Sequence, residues 1–201
     1  MANGTIAASQ LEMLSLSGTG IITITPPATN TNRAITLPDA AGAIVVSGTT
    51  PSLNGIAFPA TQVASADANT LDDYEEGTFT PTIIGNTTAG TGTYTIQTGI
   101  YTKVGRAVSI QIRMSWTAHT GTGIMLVSGL PFTTLSGGVQ PSFVVGDARD
   151  IALTASNILQ LFSDANTTTI QFIQTPTGGG ASGNVTLDTS ATIILSGTYF
   201  V

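Results

Sequence analysis

The chain has 201 residues, and 41% of them are hydrophobic, which supplies enough apolar material for a packed core. Only 8% are charged, and the net charge of −6 with five cationic side chains argues against binding to nucleic acid or attraction to an anionic membrane surface. The lack of cysteine excludes disulfides, thiolate metal ligands and a cysteine nucleophile.

The amino-terminal stretch, residues 1–20, has neither a cationic start nor a continuous apolar core, so we expect no signal peptide there. No segment approaches the ~18 apolar residues that a membrane-spanning helix needs. The abundance of threonine, a β-branched residue, favours strands over helices. The composition therefore predicts an all-β protein.

The first third of the chain contains three short β-like runs, at residues 20–27, 33–40 and 42–48. In the first run, isoleucine alternates with threonine, as in a half-buried strand. Runs this short cannot bury enough apolar surface alone. Residues 1–48 are therefore predicted to be a β segment that must pack against something else.

Residues 49–76 read as an extended connector that ends in an acidic cluster. Five of the eleven carboxylates lie in this cluster: Asp67, Asp72, Asp73, Glu75 and Glu76. A solvated linker, a short helical turn capped by Asn69 or Thr70, and a cation site are all compatible with it. Its spacing lacks the glycine of a standard calcium loop, so no metal site is predicted.

Residues 77–201 read as one β domain, predicted to be an antiparallel β-sandwich of the jelly-roll kind. Its clearest strand is residues 107–117, where apolar and polar side chains alternate without a miss. Gly105 and Arg106 before it form a predicted hairpin turn. Further predicted strands are residues 79–84, 94–97, 124–127, 142–145, 158–162, 168–174, 185–187 and 192–201. Residues 150–162 are interpreted as strand, turn, strand.

Little in the chain indicates catalysis. His119 is the only histidine, and its turn-like setting favours a solvent-facing loop residue over a ligand contact. The glycine-rich stretch 175–184 has no nearby lysine, so it is read as a hairpin tip and not as a phosphate loop. No G-x-S-x-G elbow occurs. We therefore predict no enzyme activity and no cofactor.

Four sequence strings resemble a family of tailed-bacteriophage fibre and virion-surface proteins: "NRAITLPDAAG" (32–42), "LDDYEEGTFTP" (71–81), "YTKVGR" (101–106) and "VSGLPF" (127–132). The resemblance implies a homotrimer on the virion surface, assembled in the cytoplasm of the host bacterium. Residues 1–48 would then be a trimerising and attachment segment. This amino-terminal part would be interwoven along a threefold axis, and the β domain would form a distal knob. Other tail or capsid proteins would bind the amino-terminal segment.

In such a trimer the acidic cluster would form a collar where the shaft meets the knob. Cations of a neighbouring chain would then balance the carboxylates. The predicted junction residues are Arg33, Asp72, Asp73, Glu75, Glu76, Lys103 and Arg106.

The leading hypothesis is a non-enzymatic fibre or spike whose knob loops, at residues 117–123, 133–138 and 175–184, attach to a host-surface glycan. The predicted ligand-binding residues are Trp116, His119, Thr120 and Asn184. The alternative is a capsid cement or decoration protein that clamps neighbouring shell subunits. A polysaccharide depolymerase is a third possibility, but it would predict a long repetitive β-helix, and no repeat is present.

Overall fold

The computed structural model describes residues 11–14, 21–24, 58–63, 65–67 and 69–201. The chain divides into two compact units, Met1–Asn54 and Gly55–Val201. The described residues contain strands and turns and no α-helix, which confirms the all-β prediction. Within this part of the chain, no helix has the length and hydrophobicity needed to cross a membrane.

In the first unit, β1 (Leu11–Leu14) pairs antiparallel with β2 (Ile21–Ile24). Strand β2 lies inside the predicted run 20–27, whereas β1 was missed because its four residues do not alternate. The predicted runs 33–40 and 42–48 lie outside the described residues.

The second unit contains the other ten strands. They are β3 (Tyr74–Phe79), β4 (Thr82–Gly85), β5 (Gly92–Val104), β6 (Ala107–His119), β7 (Met125–Ser128), β8 (Ser142–Arg149), β9 (Asn157–Phe162), β10 (Thr169–Pro176), β11 (Gly183–Asn184) and β12 (Ala191–Phe200).

These strands form one antiparallel sheet in the order β3-β5-β6-β12-β8-β9-β10-β7-β4, with β11 paired to β10. Strand β8 belongs to both halves of the sheet. Its first residues pair with β9, and from Val144 onward it pairs with β12, with a register shift opposite Ile194 and Leu195. We call β3, β5, β6, β12 and β8 the first half of the sheet.

The sheet curls so that its two halves face each other across one core. Buried side chains from β6 and β12 in the first half join those from β4, β7 and β10 in the second half in a single cluster. Trp116, Tyr199 and Phe172 are its largest fully buried members. The sandwich description and the interwoven trimer remain predictions.

The β5–β6 hairpin forms as its sequence indicates. Along β6 every second side chain from Val108 to Trp116 is buried, as the alternation predicts. Gly105 opens the two-residue turn with a φ of 55°, a left-handed conformation that glycine adopts without steric cost.

Three predicted strands differ from the structure. The run 79–84 is split at Thr80 and Pro81 into β3 and β4, and β3 begins at Tyr74, within the predicted connector. Residues 150–156 form a loop, since the N–H of Ala152 binds Asp188 Oδ2 at 2.9 Å instead of another strand. Residues 185–187 contribute one isolated bridge and no strand.

Candidate functional site

The strand directions place the loops at two ends of the sheet. At the Tyr74 end, where β3 begins and β5 turns into β6, lie residues 70–73, 105–106, 129–141 and 163–168. At the His119 end, where β6 finishes, lie residues 86–91, 120–124, 150–156 and 177–182.

The acidic cluster lies at the Tyr74 end, and its most buried member is Asp73. The Asp73 carboxylate forms an ion pair with the ammonium of Lys103, and the two residues are 6% and 3% exposed. Lys103 Nζ also lies 5.5 Å from the ring centroid of Phe132, a cation–π contact. The backbone of Asp73 accepts a hydrogen bond from the N–H of Gly105 at 2.8 Å. Asp73 is thus fixed to the β5–β6 hairpin by both backbone and side chain.

Glu75 and Glu76, on β3, bind tyrosine hydroxyls. The Tyr101 hydroxyl donates to Glu75, and this bond raises the pKa of Tyr101 to about 12. The Tyr74 hydroxyl donates to Glu76 Oε2 at 3.2 Å, which raises the pKa of Tyr74. Each carboxylate stabilises the protonated phenol beside it.

Asp72 and Asp67 bind backbone N–H groups. Asp72 Oδ2 accepts from Ser65 N at 2.9 Å, and this bond lowers the pKa of Asp72. Asp67 Oδ1 accepts from Asn69 N at 2.9 Å, as in an Asx turn. The cluster is therefore an extended segment of individually bonded carboxylates, and not a helical turn.

The remaining predicted junction residues are cations. Lys103 forms an ion pair with Asp73 of its own chain. This corrects the expectation that Lys103 balances a carboxylate of a neighbouring chain. Arg106 Nε donates to the carbonyl oxygen of Val201 at 3.0 Å. Arg33 lies outside the described residues. In the part of the chain that the structure describes, no three histidine or acidic side chains are grouped closely enough to hold a metal ion.

Two of the predicted ligand contacts, Trp116 and His119, are buried. Trp116 is 1% exposed, and its Nε1 donates to the carbonyl oxygen of Asp188 at 3.0 Å. Its ring is a core element with no face open to a ligand, so the predicted ligand contact of Trp116 is wrong.

His119 is the last residue of β6 and only 7% exposed, so the expectation of a solvent-facing loop residue is also wrong. Its Nδ1 accepts a hydrogen bond from the N–H of Gly121 at 2.9 Å. Its Nε2 lies 2.9 Å from the carbonyl oxygen of Ile83. The proton must therefore be on Nε2, which makes the ring a neutral bridge between β6 and β4.

The other two predicted ligand contacts, Thr120 and Asn184, are exposed and lie near the His119 end. The Thr120 hydroxyl accepts a hydrogen bond from the N–H of Thr91 at 2.9 Å. Asn184 Oδ1 accepts from Gln171 Nε2 at 2.9 Å, which leaves the Asn184 side-chain amide facing solvent as a donor.

The three predicted contact loops do not share one end of the sheet. Loops 117–123 and 175–184 lie at the His119 end, whereas loop 133–138 lies at the Tyr74 end, where Leu135 N donates to the carbonyl oxygen of Phe200 at 2.7 Å.

Sequence reasoning missed the outward-pointing side of the first half of the sheet, which we call the outer face. Two shallow depressions of about 320 Å³ and 280 Å³ lie on it, and both are lined by Ile100 and Gln111. In the sequence, the alternating polar residues of β6, such as Ser109 and Arg113, indicate that one side of this strand points outward. The exposed apolar residues on its neighbours gave no signal, because only the strand register shows that they share a face.

Together these features define an all-β protein built on a curled antiparallel sheet. No protein-family model matches the chain, and no curated protein sequence matches it. Among solved structures, the crystal structure of the Dettilon tailspike protein is similar in fold, with a TM-score of 0.52 and 19% sequence identity. The similarity covers 63% of this chain and 24% of that one, so the matched part of this chain spans about a quarter of the tailspike's length.

Proposed function

We propose that this protein is a structural component of a bacteriophage particle, a homotrimeric fibre or spike whose β domain attaches to a host-surface glycan. The observation that carries the proposal is the similarity in fold between 63% of this chain and part of a tailspike protein. The strings "LDDYEEGTFTP" and "YTKVGR", which resemble phage fibre and virion-surface proteins, support the same origin.

The proposed glycan-binding surface is the His119 end of the sheet. Exposed polar groups there supply the neutral donors and acceptors that sugar hydroxyls bind. The solvent-facing amide of Asn184 is the stronger candidate, because the Thr120 hydroxyl already bonds to the backbone of Thr91. The loops stand on a rigid sheet, and the buried ring of His119 connects the end of β6 to β4. Attachment without chemical change to the glycan is part of the proposal.

Gold labelling of intact particles with an antibody against the β domain tests the location. We expect label on the tail. Label on the head would instead support the capsid cement alternative, and unlabelled particles would contradict both.

Binding of the purified protein to surface polysaccharide from sensitive bacteria tests attachment. Asn184→Ala and Thr120→Ala should weaken binding, whereas Ser136→Ala, an exposed hydroxyl at the Tyr74 end, should not. Equal losses for all three variants would contradict the proposed surface. Release of reducing sugar from the polysaccharide would show that the protein is a depolymerase.

A further inference from the structure

The outer face is unusually apolar for a surface in contact with water. Six of the ten large hydrophobic side chains that are exposed within the described residues lie on it, at outward positions of β3, β5, β8 and β12. They are Tyr74, Ile100, Val104, Val144, Ile194 and Phe200. Clustering of this kind marks an interaction surface more than scattered exposed residues do.

The register of the strands connects these side chains into rows. Tyr74, Val104, Ala107 and Phe200 are successive cross-strand neighbours in one row at the Tyr74 end. In a second row, Ile100 on β5 and Val144 on β8 flank Gln111 and Ser196. The apolar residues therefore extend over most of the width of the first half of the sheet.

The polar groups of the outer face favour a protein over a sugar as its occupant. Ser109 and Thr198 hydrogen-bond to each other at 2.9 Å, and so do Ser115 and Thr192. Hydroxyls that satisfy one another in this way leave fewer groups free for a glycan. They also lower the cost of removing the face from water.

Four charged side chains lie on the outer face. Among its described outward positions, Glu76 and Arg113 are charged, and Asp147 and Arg149 at the β8 margin pair with each other at 2.9 Å. A polar rim of this kind is typical of a protein–protein interface.

The size of the outer face matches what a stable interface needs. The distance across the five strands is four gaps of about 4.8 Å, and the length along the ten paired residues of β12 is nine steps of about 3.4 Å. The product is a projected area of roughly 600 Å². The accessible area of a corrugated surface exceeds its projection, so the face approaches the ~800 Å² per partner of a standard interface.

We propose that the β domain binds a second copy of this chain through the outer face. The inference rests on the homotrimer of the proposed function and assigns a subunit contact to the β domain as well as to the amino-terminal segment. The hairpin of β1 and β2 agrees with a need for partner copies, because a two-stranded sheet of four-residue strands is marginal alone.

Thiol labelling tests this proposal, since the chain has no native cysteine. Ile100, in the middle of the outer face, is 50% exposed in one chain, and Ile158, on β9 in the other half of the sheet, is 49% exposed. Ile100→Cys and Ile158→Cys in the 201-residue chain therefore form a matched pair. Both would be treated with a maleimide, natively and after unfolding, and circular dichroism and light scattering would verify their fold and mass.

If a copy covers the outer face in nine-tenths of the molecules, the thiol of the Ile100→Cys variant should react about tenfold more slowly than that of Ile158→Cys in the native protein. The two variants should react equally after unfolding. Dilution that dissociates the assembly should remove the protection. A disulfide that links two chains in the Ile100→Cys variant, but not in Ile158→Cys, would support the same contact.

Equal native rates in the two variants would overturn the proposal. Protection of the thiol in Ile100→Cys would also overturn it if the protein scatters light as a single 20.4 kDa chain, since another part of the same chain would then be the cover. Slow labelling that appears only after host polysaccharide is added would identify the outer face as a glycan site instead. Equal native rates in a protein that scatters light as a trimer would overturn this contact while the proposed function stands. A single-chain mass would contradict the homotrimer of the proposed function as well.

Discussion

The Lys103 ammonium on β5 forms a buried ion pair with the Asp73 carboxylate, which directly precedes β3. The pair holds the edge strand β3 to the sheet at the point where the connector reaches it. Asp73 is also one of five clustered carboxylates, so a residue from an apparently solvated acidic segment is part of the interior. Buried charges of this kind are tolerated only when both partners are present.

Lys103→Met should therefore destabilise the β domain by about 3–5 kcal/mol, because it leaves the Asp73 carboxylate buried without a partner. The double variant Lys103→Met with Asp73→Leu should regain much of that loss. Urea unfolding followed by the fluorescence of Trp116, the single tryptophan, measures both. Arg149→Met, which breaks the exposed pair with Asp147, is the control and should change stability little. An equally small effect of Lys103→Met would contradict the role of the buried pair.

Gly197→Ala should destabilise the domain by about 1–3 kcal/mol through overpacking. Gly197 on β12 lies beneath the ring of Phe143, and a Cβ atom there would be 2.5 Å from Phe143 Cδ1. Gly178→Ala, where a Cβ would meet open space, should be nearly neutral. Thermal unfolding of the two variants compares them directly, and similar melting temperatures would show that Phe143 can move aside.

Stability should fall as the pH rises from 10 to about 12. The hydrogen bond to Glu75 raises the pKa of Tyr101 to about 12, and burial raises the pKa of Tyr199 to about 12, from 10.0 in both cases. A raised pKa in the folded state favours the protonated phenol, so the contribution is complete below pH 10 and lost as pH passes the folded value.

Chemical unfolding at a series of alkaline pH values measures this loss. Tyr101→Phe and Tyr199→Phe should each flatten the decline, since each removes one titrating phenol. A stability that stays constant to pH 12, or an unchanged slope in both variants, would count against the assignment.

His119→Phe should destabilise the His119 end of the sheet by about 1–3 kcal/mol, because the N–H of Gly121 loses its acceptor. His119→Gln should recover part of the loss if its amide N–H₂ replaces Nε2 as the donor to Ile83. Amide hydrogen exchange at Gly121 reports the bond itself. Exchange that is equally slow in the wild type and in His119→Phe would show that Nδ1 does not hold this amide.

Some of this architecture follows from local sequence alone. The alternation of β6 predicts a strand with one buried side, and Gly105 before it predicts the hairpin turn. The all-β class also follows from composition. These are properties of neighbouring residues, and a period of two residues does not depend on what the strand packs against.

The roles of Asp73 and His119 could not be read from the sequence in the same way. Asp72 and Asp73 are adjacent and chemically identical, yet one binds a backbone N–H in an exposed loop and the other a buried ammonium. The difference depends on the position of Asp73 beside the β5–β6 hairpin, thirty residues further along the chain. His119 looks like a turn residue until β4 is placed beside it.

The sequence by itself therefore determined the strand-rich class, the two-sided pattern of β6 and the low charge of the chain. Only the tertiary structure decided which carboxylate is buried and which side chains share the outer face. The physical reason is that alternating apolar and polar residues specify which side of a strand is buried. The register with strands distant in sequence, such as β6 with β12, decides which side chains become neighbours.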